Sequence, residues 1–160
     1  MGPTAKPLCI HIHGVSVGEV LSAVPVVQGL LTATPGCTIL ATSWTASSQK
    51  LLHSLYDQNP RVAVDRLPFD MVWNHTKFYK QRVIDAALWI DSEIWPGWLM
   101  AMKKRGIPAA LINGRMSERS CRRWGMIKPV IRHILGLFDR IDAQSRQDAD
   151  HFRSLGAQTV

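Results

Sequence analysis

The stretch Leu8-Cys9-Ile10-His11-Ile12-His13-Gly14-Val15-Ser16-Val17-Gly18-Glu19 decides how this chain folds. Ile10 and Ile12 alternate with His11 and His13, the two-residue period of a β-strand. Gly14 then precedes, and Gly18 lies within, a Ser-x-x-Glu, the mark of a helix start in which hydroxyl and carboxylate each satisfy a backbone donor. A strand turning tightly into a helix opens a βα unit. In open α/β sheets the carboxyl ends of strands are where ligands bind. Glu19 is therefore placed as a structural cap, as a base, or as both.

The same grammar repeats along the chain. Short apolar runs at residues 8–13, 38–42, 61–64, 86–90, 109–112 and 141–143 read as strands. Residues 20–32, 46–56, 72–82, 97–105, 119–138 and 147–155 carry helical spacing between them. Pro35-Gly36, Asn59-Pro60 and Asn113-Gly114 supply turns at the junctions. Alternating strands and helices specify a Rossmann-like α/β fold, a parallel sheet with helices on both faces. Pro25 interrupts the first helical pattern and predicts either a kink there or a helix that begins near it.

Composition narrows the class. At 160 residues the chain has the length of one domain, and 46% hydrophobic against 19% charged residues excludes a disordered chain. Cys9, Cys37 and Cys121 are too scattered for a disulfide framework or a zinc site, and read as reduced thiols. No apolar run approaches the ~20 residues of a membrane span, and residues 1–7 lack a signal-peptide core, so the chain is expected to be soluble as written. The net charge of +7 is concentrated between Lys103 and Arg132, where nine basic residues face only Glu118. Such a cluster suits an anionic partner, or else a solvated helix face.

Three further groups of polar residues follow strands. Asp91-Ser92-Glu93-Ile94-Trp95-Pro96 places two carboxylates before a helix that Pro96 can open, as reacting groups or as favourable charges at a helix N-terminus. Asn113 to Ser120 offers Arg115 and Arg119 for bidentate contacts with phosphate or carboxylate, or a Ser117 cap with surface arginines behind it. Asp142 to Ser145 is a weaker instance. His11 and His13 have no spaced Cys or carboxylate partners, so no metal site is expected. His53, His75, His133 and His151 read as surface residues, and Trp44, Trp73 and Trp89 as packing groups. Neither a G-x-G-x-x-G nor a P-loop occurs. The basic cluster lacks interleaved aromatics, which argues against nucleic acid.

In this order and spacing, His13 to Glu19 with Leu21-Ser-Ala-Val-Pro25, Leu67-Pro-Phe-Asp70, Asp91 to Pro96, Asn113 to Ser120 and Ala143-Gln144 resemble the N-terminal half of the Kdo (3-deoxy-D-manno-octulosonic acid) transferases. The resemblance implies the first of two Rossmann-like domains of a GT-B glycosyltransferase, an acceptor-binding domain spanning residues 1–160. It implies transfer of Kdo from CMP-Kdo to a lipid A precursor (lipid IVA) in lipopolysaccharide biosynthesis, without metal or other cofactor, at the cytoplasmic face of the bacterial inner membrane. Glu19 maps to the family's general base, and Asp91 and Glu93 to its acidic pair. Ser16 and Gly18 belong to the same motif and are expected to contact the acceptor, and Arg115 and Arg119 its anionic groups. CMP-Kdo is expected to bind through a C-terminal domain that this sequence does not include, and an N-terminal anchor is also missing. The isolated chain is therefore expected to be inactive, with the basic cluster facing anionic lipid. The alternative is a non-catalytic Rossmann-like module that binds anionic glycolipid. Asp91 stands where the family has Glu, Gly97 where it commonly has Asn, and Gly114 where it has Ala.

Overall fold

A computed structural model describes residues 7–160. Six strands form one parallel sheet: β1 (Cys9–His13), β2 (Thr38–Ser43), β3 (Val62–Arg66), β4 (Ala86–Ile90), β5 (Ala109–Gly114) and β6 (Arg140–Ala143). Their order is β3-β2-β1-β4-β5-β6. The chain steps outward from β1 to β3, returns to β4 beside β1, and steps outward the other way. The strand order therefore reverses between β1 and β4, and their carboxyl ends flank the crevice where such sheets bind ligands.

Helices α1 (Val17–Ala33) and α2 (Ala46–Tyr56) cover one face, burying Val20, Val27 and Leu52 against Ile12, Ile39, Ala41 and Ile90. The other face carries α3 (Val72–Lys80), α4 (Pro96–Lys104), α6 (Lys128–Leu135) and α7 (Arg146–Ser154), packed over Leu40, Trp89, Leu111 and Ile141. Both faces are sealed, which is why the strands read as apolar runs. Trp98 is fully buried and clamps α4 to α3, with ring centroids 4.5 Å from His75, 5.2 Å from Phe78 and 5.7 Å from Tyr79. Aromatic pairs of this kind add ~0.5–1.5 kcal/mol each beyond the area they bury.

Four expectations are corrected. The helix expected over residues 119–138 is two, α5 (Glu118–Gly125) and α6, because Pro129 lies in the first turn of a new helix and has no N–H with which to extend the old one. The first helix neither waits for Pro25 nor starts at Val20: it begins at Val17 under the Ser16 cap and encloses Pro25. Leu21, whose carbonyl loses its partner to Pro25, lies with it on the exposed side, where water can replace the bond. His75 is buried rather than at the surface, held by Asp70. Trp73 is 65% exposed rather than a core packing group.

Candidate functional site

Glu19 is drawn back onto the strand end from which its helix departs. Ser16 caps α1, its Oγ accepting the Glu19 N–H at 3.3 Å. The Ser16 hydroxyl donates to Glu19 Oε1 at 2.7 Å, and the Val15 N–H donates to Oε2 at 2.6 Å. Gly14 permits this approach, since a Cβ there would lie 3.0 Å from the Glu19 Cβ. Each carboxylate oxygen has two acceptor positions, so both keep room for another donor. Gly18 lies exposed in the same turn, where a Cβ would meet only Ser16 Oγ, at an ordinary van der Waals distance of 3.9 Å.

The second acidic group enters from the neighbouring strand. Asp91, directly after β4, adopts a left-handed backbone (φ 67°), an uncommon conformation for a residue with a side chain and one that clusters at functional sites. Its N–H donates to the Ile112 carbonyl, and its own carbonyl accepts from the Arg115 N–H. Arg115 Nη1 reaches Asp91 Oδ2 at 3.4 Å. Asn113, near the end of β5, is likewise left-handed (φ 56°). Glu93 is half-buried and accepts a short hydrogen bond from Trp95 Nε1. Burial pushes its carboxyl up to about 6; the Trp95 bond opposes this, while the charges of Glu19 and Asp91 add to it. Three carboxylates thus follow the carboxyl ends of the paired strands β1 and β4, at the point where the strand order reverses.

Beneath them lies an aromatic floor. His13 is fully buried, edge-on to Trp89 (4.7 Å) and Trp95 (5.7 Å). Thr42 Oγ1 lies 2.8 Å from both His13 Nδ1 and His11 Nε2. One hydroxyl carries one proton; accepting from both rings would strand it, so it donates to one and accepts from the other. One ring therefore presents an N–H and the other a lone pair, and because they do so through different nitrogens both histidines carry the same tautomer, Nδ1–H or Nε2–H. Burial brings both down to about 3, helped by Arg82 at His11 and by His11 at His13.

The departure at Gly97 also has a structural reason. Asp70 reaches across to the start of α4, where its Oδ2 accepts the Gly97 N–H at 3.0 Å and its Oδ1 accepts from His75 Nε2 at 2.6 Å. A Cβ on residue 97 would lie 2.6 Å from His75 Cε1 and 2.9 Å from Asp70 Cγ. Beyond Asp70 itself this triangle was not legible in the sequence, because its members come from three segments.

Beside the carboxylates opens a cleft of about 520 Å³, lined among others by Ser92, Arg115, Ser117, Trp124 and Gln144. Arg115 joins this cleft to Asp91. Arg119 does not line it; it is exposed on α5 and makes no ion pair among the described residues. The expected arginine pair is therefore divided. At the turn between α5 and α6, Met126 (79% exposed), Ile127 and Val130 project among Arg122, Arg123 and Lys128. No helix among the described residues is long and apolar enough to cross a membrane.

Comparison with known proteins gives the family and agrees with the fold. The family model described as 3-deoxy-D-manno-octulosonic-acid transferase (kdotransferase) matches residues 2–160. A 3-deoxy-D-manno-octulosonic acid transferase of Rickettsia prowazekii is 33% identical over 92% of this chain and 31% of its own length. One from Bordetella pertussis is 31% identical over 97% of this chain and 36% of its own. The chain thus spans about a third of the length of the curated relatives it matches. Among solved structures, UDP-GlcNAc 2-epimerase from Neisseria meningitidis superimposes with TM-score 0.64 at 12% identity, covering 92% of this chain and 43% of that one. MurG of Acinetobacter baumannii gives 0.57 at 14%, covering 84% and 40%. These likenesses show the fold, the Rossmann-like α/β architecture of the GT-B class. Matched along nearly its whole length, the chain belongs to the 3-deoxy-D-manno-octulosonic acid transferase family.

Proposed function

We propose that this chain is the acceptor-binding half of a glycosyltransferase that moves Kdo from CMP-Kdo to a lipid A precursor (lipid IVA), with Glu19 as general base. The observation that supports the reading is that Glu19, held by Ser16 and the Val15 N–H, and the Asp91–Glu93 pair follow the carboxyl ends of the adjacent strands β1 and β4. Glu19 accepts the proton of an acceptor hydroxyl as that oxygen attacks the anomeric carbon of Kdo, and CMP departs with the bonding electrons. Ser16 and the Val15 N–H hold the carboxylate in place, so capping and catalysis are two uses of one geometry. Asp91 and Glu93 stabilise positive charge that develops on the sugar, and Arg115 takes an anionic group of the acceptor. Gly18 leaves the approach to Glu19 open, and Arg119 serves the anionic surface rather than the cleft.

CMP-Kdo binds through a second domain, and neither a metal ion nor another cofactor enters the reaction. The exposed Met126, Ile127 and Val130, ringed by basic side chains, rest on the cytoplasmic face of an inner membrane, where each basic residue near anionic lipid contributes about 1 kcal/mol. The test is Kdo transfer to lipid IVA by this chain alone and by this chain joined to the remaining C-terminal part of the Bordetella pertussis relative. Transfer by the joined protein only is the expected result. Failure of a folded joined protein to transfer, with the unmodified relative active alongside, would overturn the reading.

A further inference from the structure

Glu93 is held by an indole, and that indole is itself clamped. Trp95 Nε1 donates to the Glu93 carboxylate. The Trp95 ring meets two fully buried rings, His13 edge-on at 5.7 Å and Trp89 at 6.3 Å. A further ring reaches it from the loop after β2: Trp44, half-buried, lies T-shaped to Trp95 with centroids 5.7 Å apart. His13 and Trp89 belong to the interior, whereas Trp44 closes the clamp from the surface side.

Trp44 has little freedom of its own. It is the single residue between the end of β2 and Thr45, the cap of α2. On one side the Ser43 carbonyl accepts the Leu67 N–H at 3.3 Å and the Gln49 side-chain amide at 3.1 Å. On the other the Thr45 N–H donates to the Val15 carbonyl at 3.4 Å, and Thr45 Oγ1 accepts the Ser48 N–H at 3.1 Å. The backbone is thus tied to the loops after β1 and β3. The indole is held as well, with Phe69 at 5.9 Å and the Arg66 guanidinium 5.2 Å from its ring centre. A ring quadrupole favours both kinds of neighbour. A glutamate in a loop has several rotamers, and a donor fixed by packing selects one of them before substrate arrives.

We infer that Trp44 is a positioning residue for the transfer reaction: it closes the aromatic clamp on Trp95 and so holds the Glu93 carboxylate in one orientation, without touching the reacting atoms. The inference rests on the reading that Glu93 stabilises charge developing on the sugar. It adds to that reading a residue from the end of β2, a strand that supplies no carboxylate to the crevice.

The test follows the Trp95 indole N–H of the 15N-labelled chain by NMR as the pH crosses the Glu93 midpoint of about 6. In wild type this signal should move as Glu93 ionises, and Glu93→Gln should abolish the movement. Trp44→Ala should reduce its amplitude by about twofold or more, because the hydrogen-bonded conformer loses population. Trp44→Phe keeps an aromatic neighbour and should retain most of it. Trp44→Leu keeps an apolar cover, should behave like Trp44→Ala, and keeps the test valid if Trp44→Ala does not fold. In the joined protein Trp44→Ala should lower kcat about tenfold and leave the KM for lipid IVA within about twofold, with most of the rate kept by Trp44→Phe. Full amplitude in Trp44→Ala and Trp44→Leu, or lost amplitude with wild-type kcat, would overturn the inference. So would a raised KM with kcat and amplitude unchanged, since Trp44 would then touch the substrate. If the amplitude survives Trp44→Ala while the joined wild type transfers Kdo, the clamp is wrong and the function stands. If it collapses while the joined wild type is inactive, the function is wrong and the clamp on Glu93 stands.

Discussion

Lowering the pH from 7 to 5 should charge His11 and His13 only by unfolding the protein. Each has its pKa brought by burial from the ordinary 6.5 to about 3. A base with a depressed folded pKa is neutral in the fold and protonated in the unfolded chain between those values, so stability falls as the pH falls below 6.5. At pH 5 each histidine then costs about 2 kcal/mol relative to pH 7, and the pair about 4 kcal/mol. That is a large part of the ~5–15 kcal/mol by which domains are stable. Glu93 works in the opposite sense, its folded pKa of about 6 lying above the ordinary value, so the fold gains from its protonation as the pH falls. Urea unfolding followed by tryptophan fluorescence at pH 7, 6 and 5, on wild type and His11→Leu, separates these effects. Glu93 is common to both proteins and cancels in the comparison. The variant should show about half the histidine-driven loss, roughly 2 kcal/mol less than wild type between pH 7 and 5. An equal loss in both proteins, or none in wild type, would refute the assignment of two neutral, buried imidazoles.

Other consequences are independent of that one. Gly97→Ala should lower stability by about 1–3 kcal/mol, because the new Cβ displaces Asp70 from the first turn of α4 and from His75; a thermal melt reads it directly. Trp95→Phe removes the indole donor to Glu93, so the Glu93 midpoint followed by 13C NMR should rise above its present value of about 6. An unchanged or lower midpoint would show that Trp95 does not hold this carboxylate. Binding to vesicles rich in anionic lipid should weaken with salt and with Val130→Asp or Met126→Asp. Salt-insensitive binding would point away from the α5–α6 surface.

Legibility in the sequence followed the range of the interactions concerned. Residues 46–56 and 86–90 fold with the bounds their patterns predict, because α2 has a Thr45 cap and β4 is an apolar run ending at an acid. Glu19 was legible as a carboxylate at a helix start, and Asp91 and Glu93 as loop carboxylates after a strand. Their placement at adjacent strand ends was not, since it depends on β4 pairing with β1 and not with β3. Residues 119–138 misled because apolar spacing continues through the break, while Pro129 and the adjoining turn carry the interruption. His75 misled for a related reason: its polar side chain is buried on Asp70, and single-helix periodicity says nothing about a partner in the preceding loop. The division of Arg115 from Arg119 likewise needed the course of α5, which turns Arg119 away from the cleft.

The central claim is that Glu19 is a base as well as a cap, and Glu19→Gln separates the two. Glutamine can still complete the capping box, so the melting temperature should stay close to wild type. It cannot accept the acceptor's proton, so Kdo transfer by the joined protein should fall by about 10²–10⁴-fold. Transfer at the wild-type rate by a folded Glu19→Gln protein would contradict the account and leave Glu19 as a helix cap alone.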